Sequence, residues 1–331
     1  MNNSVSVIAT VKNESNDIGD LIQSVLDQSY HFDEFIINDN NSTDDTVEII
    51  KKYAQLDERI KVVNSSDLSI GEGRNAAISH SSGEILAIID SGIAPSLDWL
   101  SNIVSPMLAD DSFDVVWGHV IFDTKSRVVR SSSIALALVF LTKYKENRVD
   151  ATNLTSSAIR RRVWKDLNGF PTISLPIEDL LLIDEIKKND YKCIHAPLAK
   201  VYYFRFPETI QDVFRKWRYS AYCAFAVKKT EKGFFKQILI IGIFFVLMLS
   251  TIVNSAILLF CYILLFMLYK SYNNLSLAKK IFSDKELFLK TLYLFFILFF
   301  ARVFGALAAI IDIFKGTIPR IHTNDTNDTN D

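Results

Sequence analysis

From Phe234 to Val253 the chain carries a single charged side chain, Lys236, and from Ser255 to Tyr269 it carries none. The first stretch is long enough to cross a hydrocarbon core about 30 Å thick. The second can cross if a tight turn at Asn254 joins the two as a hairpin. The alternative at this length is a buried pair of core helices. Lys228, Lys229, Lys232 and Lys236 precede the pair, and Lys270, Lys279 and Lys280 follow it. Lysine on both flanks returns the chain to the side from which it entered, by the positive-inside rule.

A third apolar stretch, Leu287 to Phe314, holds Arg302 and Gly305 near its middle and is followed by Lys315 and Arg320. Its length permits a crossing, whereas its charges suit an interfacial helix with Arg302 snorkelling, so both placements stay open. The last residues repeat Thr-Asn-Asp, a polar low-complexity tail that cannot build a core.

Before residue 234 charged residues are interspersed throughout. With 49% hydrophobic and 22% charged residues over 331 positions, the chain is too apolar for disorder and can build a large core. Its formal net charge of -2 gives no bulk affinity for nucleic acid, so any anionic ligand must be held locally. Cys193, Cys223 and Cys261 are far apart and lack CxxC spacing, which argues against a disulfide framework or a zinc site. The opening Ser4 to Val11 reads as a strand rather than a secretory leader, which places the N-terminal domain in the cytosol.

Strand-like and helical patterns alternate along this part. Ser4 to Thr10, Glu34 to Asn38, Ile60 to Asn64 and Ile85 to Asp90 are strand-like. Ile18 to Gln28, Thr43 to Gln55 and Arg74 to His80 are helical between them. Such βαβ alternation predicts a mainly parallel sheet covered by helices on both faces, binding ligands beyond the carboxyl ends of its strands. Thr10, Asp39 and Asp90 fall there. Ser42 or Thr43 suits the N-cap of the second helix, with Asp44 and Asp45 at its positive end. That helix does not require Asp39, whose carboxylate is free to accept hydrogen bonds from a base or ribose.

The segment Ser6-Val7-Ile8-Ala9-Thr10-Val11-Lys12-Asn13-Glu14, followed by the Asp39 to Thr46 run, resembles the opening of family 2 glycosyltransferases of the GT-A fold. The resemblance implies an α/β, Rossmann-like mixed sheet that binds a nucleotide-diphospho-sugar. It assigns Thr10, Glu14 and Asp39 to the nucleotide. Ala9, Lys12 and Asn40 depart from the family's usual Pro, Tyr and second Asp.

Gly71-Glu72-Gly73-Arg74-Asn75-Ala76 matches a loose dinucleotide fingerprint and alone suggests a nicotinamide-dependent oxidoreductase. The fingerprint belongs after the first strand, however, and this one follows the third. In the glycosyltransferase pattern the segment resembles a Gly-rich helix start whose arginine, here Arg74, faces nucleotide or phosphate. A solvated helix-end charge is the plain structural alternative.

Ile85 to Ile89 is an apolar strand that delivers Asp90 to the sheet edge, where a carboxylate can hold a divalent ion bridging two phosphates. The family carries Asp-x-Asp here, which implies Mg²⁺ or Mn²⁺ at Asp90. Gly92 stands in place of the second acid.

Gly169-Phe170-Pro171 and then Glu178-Asp179 resemble the family's Gly-Gly-Phe and Glu-Asp segments, which makes Asp179 the base for the acceptor hydroxyl, with Glu178 beside it in the catalytic pair. As structure alone, adjacent acids opening the amphipathic run Leu180 to Lys188 serve the helix dipole. Further on, Val201 to Pro207 leads into the basic aromatic run Gln211 to Tyr219, which suits lipid headgroups. Arg205 and Arg215 there are within chain reach of a diphosphate. The run lacks the Gln-x-x-Arg-Trp of processive polysaccharide synthases. Ile134 to Leu141 is apolar but too short to span, and reads as a core helix or an acceptor-site lining.

The expected organisation is a GT-A catalytic domain over 1–228, a membrane region over 229–315 with a hairpin near 234–269 and a third helix near 287–314, and a disordered tail over 316–331. The expected activity is sugar transfer with inversion from a nucleotide-sugar donor to a lipid-linked or envelope-polysaccharide acceptor. It takes place at the cytoplasmic face of the cell membrane, with membrane lipid as a partner and no nucleic acid. A non-catalytic nucleotide-sugar-binding membrane protein is the alternative.

Overall fold

The computed structural model describes residues 4–66, 68–122, 154–173, 175–207, 209–227, 281 and 283–315. The predicted hairpin at 234–269, the short apolar segment at 134–141 and the tail at 316–331 lie outside the described residues. The chain divides into two compact units, one formed by 1–123, 148–205 and 319–331 and the other by 124–147 and 206–318.

The first unit opens with β1 (Val5–Val11), α1 (Ile18–Leu26), β2 (Glu34–Asn40), α2 (Thr46–Leu56), β3 (Ile60–Ser65), α3 (Ile70–Ser79) and β4 (Ile85–Ile89). It continues through β5 (Ile93–Pro95), α4 (Trp99–Ala109), β6 (Val115–Phe122), β7 (Ser156–Arg160), α5 (Arg161–Asp166), α6 (Glu178–Lys188) and β8 (Cys193–Tyr203). The sheet order is β3-β2-β1-β4-β7-β6-β8-β5. The β3-β2-β1-β4 half is parallel, as the alternation predicts. β7 runs antiparallel to both β4 and β6, which makes the sheet mixed.

Successive side chains on a strand point to opposite faces, so each inner strand supplies two cores. Val5, Val7, Ala9, Phe35, Ile37, Ala87 and Ile89 pack with Ile18, Ile22 and Trp99 on one face. Ile8, Ile36, Leu86 and Ile88 pack with Ile78, Val163, Phe170 and Ile183 on the other. A strand apolar on both faces must lie inside a three-layer α/β/α stack. Parallel register sets Thr10 against Asn38 and Val11 against Asp39, which brings Thr10 and Asp39 to one carboxyl edge.

Two boundaries differ from the sequence reading. Helix α2 starts at Thr46, because Asp44 accepts from the Thr46 N–H and hydroxyl while Ser42 and Thr43 bond to Asn13 instead. Helix α3 starts at Ile70, four positions before Arg74. Ser69 and Glu72 form a reciprocal capping box there that satisfies two otherwise free backbone donors.

In the second unit the described elements are α7 (Ile210–Val227) and α8 (Lys285–Lys315). Tyr222 Oη donates to Asp312 Oδ2 at 3.0 Å, and the Phe214 and Phe304 rings meet edge to face. Within α8, Glu286–Ala309 is long and apolar enough to cross a membrane by length and composition.

Candidate active site

Arg74 stands in the second turn of α3 at the sheet's carboxyl edge and is buried. A buried guanidinium requires partners, and it has three carboxylates. Its Nη2 donates to Asp90 Oδ1 at 2.8 Å, and its Nη1 donates to Glu178 Oε1 at 2.6 Å and to Asp179 Oδ1 at 2.5 Å. Asp90 comes from the end of β4, and the two acids come from the first turn of α6. The Leu154 N–H donates to the second oxygen of Asp179 at 3.1 Å. Arg74 is therefore no solvated helix-end charge.

The electrostatics follow from burial. Desolvation lowers the Arg74 pKa, but Asp90, Asp179 and Glu178 together outweigh it and hold the group charged above its ordinary value. Burial raises Glu178 to about 7, with Arg74 opposing the shift and Asp179 adding to it. Burial also raises Asp179, against the pull of Arg74 and with the help of Asp90. One cation cannot fully compensate three carboxylates in a desolvated pocket, so the Glu178–Asp179 pair is basic.

A second cluster involves Glu14, which follows β1, and Arg205, which follows β8. Arg205 grips Glu14 with both terminal nitrogens and donates to Asp17 Oδ2 at 2.7 Å. Hydrogen bonds donated to Glu14, set against desolvation, and then to Asp17 hold Arg205 charged above its ordinary value. Ser91 Oγ donates to Glu14 Oε1 at 2.9 Å, tying the loop after β4 to this cluster.

Three buried polar atoms on the ends of β1 and β2 lack partners: Thr10 Oγ1, Asn38 Nδ2 and Asp39 Oδ1. The other Asp39 oxygen accepts from the Ser42 N–H at 3.0 Å. A buried polar group left unpaired costs about 1–3 kcal/mol, so these atoms mark places where a ligand or water completes the structure.

The oxidoreductase reading of the Gly71 segment does not survive. That segment lies inside α3 after the third strand, and a Cβ on Gly73 would stand 2.8 Å from Thr10 Cγ2. Close helix-to-strand packing accounts for that glycine. Of the other expected residues, Arg215 lies in the second unit, where it pairs with Asp212 at 3.7 Å. Sequence reasoning missed Asp17, Ser91 and Asn75. Asn75 accepts from Trp164 Nε1 and the Phe170 N–H and donates to the Phe170 carbonyl, fixing the Gly169–Phe170 turn to α3.

A Mg²⁺ or Mn²⁺ ion at Asp90 does not fit the donors present. One Asp90 oxygen, Oδ1, is already engaged by Arg74, Gly92 offers no side chain, and the space a Cβ on Gly92 would take is filled by Arg205. Among the described residues no group of three His, Cys, Asp or Glu side chains is placed to hold an ion.

Comparison with known proteins agrees with this architecture. The mannosyltransferase PcManGT from Pyrobaculum calidifontis, solved in complex with GDP-Man and Mn²⁺, superposes with a TM-score of 0.59 at 17% identity. The match covers 94% of this chain and 88% of that one, and it supports the fold alone. A Bacillus subtilis protein assigned by name to teichuronic acid biosynthesis, the glycosyltransferase TuaG, is 42% identical over 88 residues, 26% of this chain and 35% of that protein. Glycosyltransferase AglE of Haloferax volcanii is 28% identical over 173 residues, 50% of this chain and 56% of that protein. The chain thus spans between about a third and a little over half of the length of these two relatives. The model named Glycosyl transferase family 2 matches residues 6–165, just under half of the chain, and the mixed α/β sheet is GT-A-like.

Proposed function

We propose that the chain transfers a sugar with inversion from a nucleotide-sugar donor, in one displacement. The acceptor hydroxyl oxygen attacks the anomeric carbon while the bond from that carbon to the diphosphate oxygen breaks. The bonding electron pair leaves with the nucleoside diphosphate, and Asp179 takes the hydroxyl proton. The observation that carries this reading is Arg74 joined to Asp90, Glu178 and Asp179 at the carboxyl edge of the sheet. A carboxylate whose pKa is raised by burial is a better base at neutral pH than an exposed one. Among the described residues each Asp179 oxygen has one partner and keeps a lone pair for the acceptor proton. Glu178 shares the charge of Arg74 and tunes its neighbour. Arg74 supplies N–H donors to the departing diphosphate, where negative charge grows as the bond breaks. Thr10, Glu14 and Asp39 take the nucleoside.

The acceptor is a lipid-linked or envelope-polysaccharide glycan, a reading supported by the name of the teichuronic acid relative. The catalytic domain spans 1–228 and faces the cytoplasm. Residues 229–315 anchor it in the cell membrane, in keeping with α8 and the two apolar stretches before it. Detergent-solubilised chain incubated with UDP-, GDP- and dTDP-sugars and a membrane-lipid extract tests the reading. Transfer of radiolabelled sugar from one donor class into the lipid or polymer fraction is expected. No transfer from any donor, with nucleotide bound, would overturn it.

A further inference from the structure

We infer that the Arg205 guanidinium, seated over Gly92, takes the place of a divalent cation at the diphosphate end of the donor site, so that the site holds a nucleoside diphosphate without metal. The inference rests on the donor reading above and adds to it the means of charge neutralisation.

The loop after β4 turns at Gly92 with φ 76°, a left-handed conformation that side-chain-bearing residues rarely adopt. A Cβ built there would lie 2.3 Å from Arg205 Nε, 2.4 Å from Cδ and 2.7 Å from Cζ. Glycine and arginine are thus two halves of one arrangement, since no carboxylate can project from position 92 while Arg205 occupies that space. Arg205 is built in rather than swept in by chance. Glu14 grips it with both oxygens, Asp17 accepts from Nη2, and Ser91, next to Gly92, bonds to the same Glu14 oxygen.

The arginine side chain remains 37% exposed, so it is not sealed off from a ligand. A guanidinium presents five N–H donors in a planar fork that matches phosphate oxygens two at a time and needs no carboxylate ligands. A divalent ion needs several oxygen ligands, and here it would also face Arg205 and the Asp90-bound Arg74. In the ligand-free site Glu14 and Asp17 balance the Arg205 charge. Phosphate oxygens take up its outer donors when a diphosphate arrives.

The test is calorimetric binding of UDP, GDP and dTDP to the full-length chain in detergent, in EDTA and again with Mg²⁺ or Mn²⁺. The expected result is one preferred nucleotide whose Kd is the same in both conditions. Arg205→Ala and Gly92→Ala are each expected to weaken it by about 10-fold or more, the scale of lost charge-assisted hydrogen bonds. Gly92→Asp combined with Arg205→Ala is expected to restore binding only when metal is added. Wild-type binding that tightens about 10-fold or more with either ion, or Arg205→Ala binding as well as wild type, would overturn the inference and leave the donor reading intact. No binding of any nucleotide in either condition would overturn both. The wild-type comparison needs no variant, and Gly92→Ala, whose added methyl displaces Arg205, checks the same point without removing it.

Discussion

Arg74 and Asp179, 105 positions apart, meet at 2.5 Å, and the same nitrogen of Arg74 holds Glu178 at 2.6 Å. One guanidinium nitrogen thus organises both acids of the first turn of α6. The fold spends a buried cation on this spot, and that choice has consequences for stability as well as chemistry.

Replacing Arg74 with Met removes the cation bonded to Asp90, Glu178 and Asp179. Breaking a buried ion pair from one side costs about 3–5 kcal/mol. That loss is expected at alkaline pH, where the acids are ionised, and a smaller loss is expected in acid, where they protonate. Urea unfolding of the variant and the parent at both pH values reads it. A loss independent of pH would contradict the ion-pair account.

Glu178 makes the native state bind a proton more tightly than the unfolded chain, because its pKa rises from 4.5 to about 7. The group's contribution is therefore fully present below about 4.5 and is lost as pH rises toward about 7, since the unfolded state has released its proton first. Glu178→Gln is expected to remove this decline, flattening the stability curve across that window. Thermal unfolding of both proteins over the same pH series checks it, and parallel curves would show that Glu178 is not the responsible group.

Asn75 ties Trp164 and both backbone groups of Phe170 to α3. Asn75→Ala leaves the indole N–H and the Phe170 N–H without their acceptor, at a cost of about 2–3 kcal/mol. Chemical denaturation measures this directly. An unchanged midpoint would mean that the turn at Gly169–Phe170 is held by packing alone.

The sequence revealed the strand ends better than the contacts between them. Apolar runs stopping at Thr10, Asp39 and Asp90 were legible because a two-sided buried strand leaves a plain pattern, and its carboxyl edge follows from βαβ alternation. The start of α3 was also written locally, as Ser69 and Glu72, but Gly71 and Gly73 are poor helix formers, so the helical pattern emerges only from Arg74. The convergence of Arg74, Asp90 and Asp179 was not local in this sense. Motifs drew attention to each residue separately, whereas their meeting depends on how α3 and α6 pack on one face of the sheet. The Glu14–Arg205 pair, joined across 191 positions, and the role of Asp17 in it left no local signal at all.

Leu289, Tyr293, Phe300, Phe304, Leu307 and Ile311 are exposed and recur at helical spacing along α8. An apolar stripe of that length suits lipid rather than water. Membranes from cells expressing the chain are expected to retain it after alkaline carbonate washing. Release into the supernatant would contradict membrane anchoring.

The most direct test of the transfer chemistry is the rate of nucleoside diphosphate release by Asp179→Asn beside the parent, with the preferred donor and acceptor, over a pH series. A loss of kcat of about 10²–10⁴-fold with donor binding preserved is expected for removal of a general base. The parent's rate should climb with pH, with its acid limb above the usual carboxylate range, because Asp179 is raised by burial. A variant that turns over at the parent's rate, with the same pH profile, would contradict Asp179 as the base.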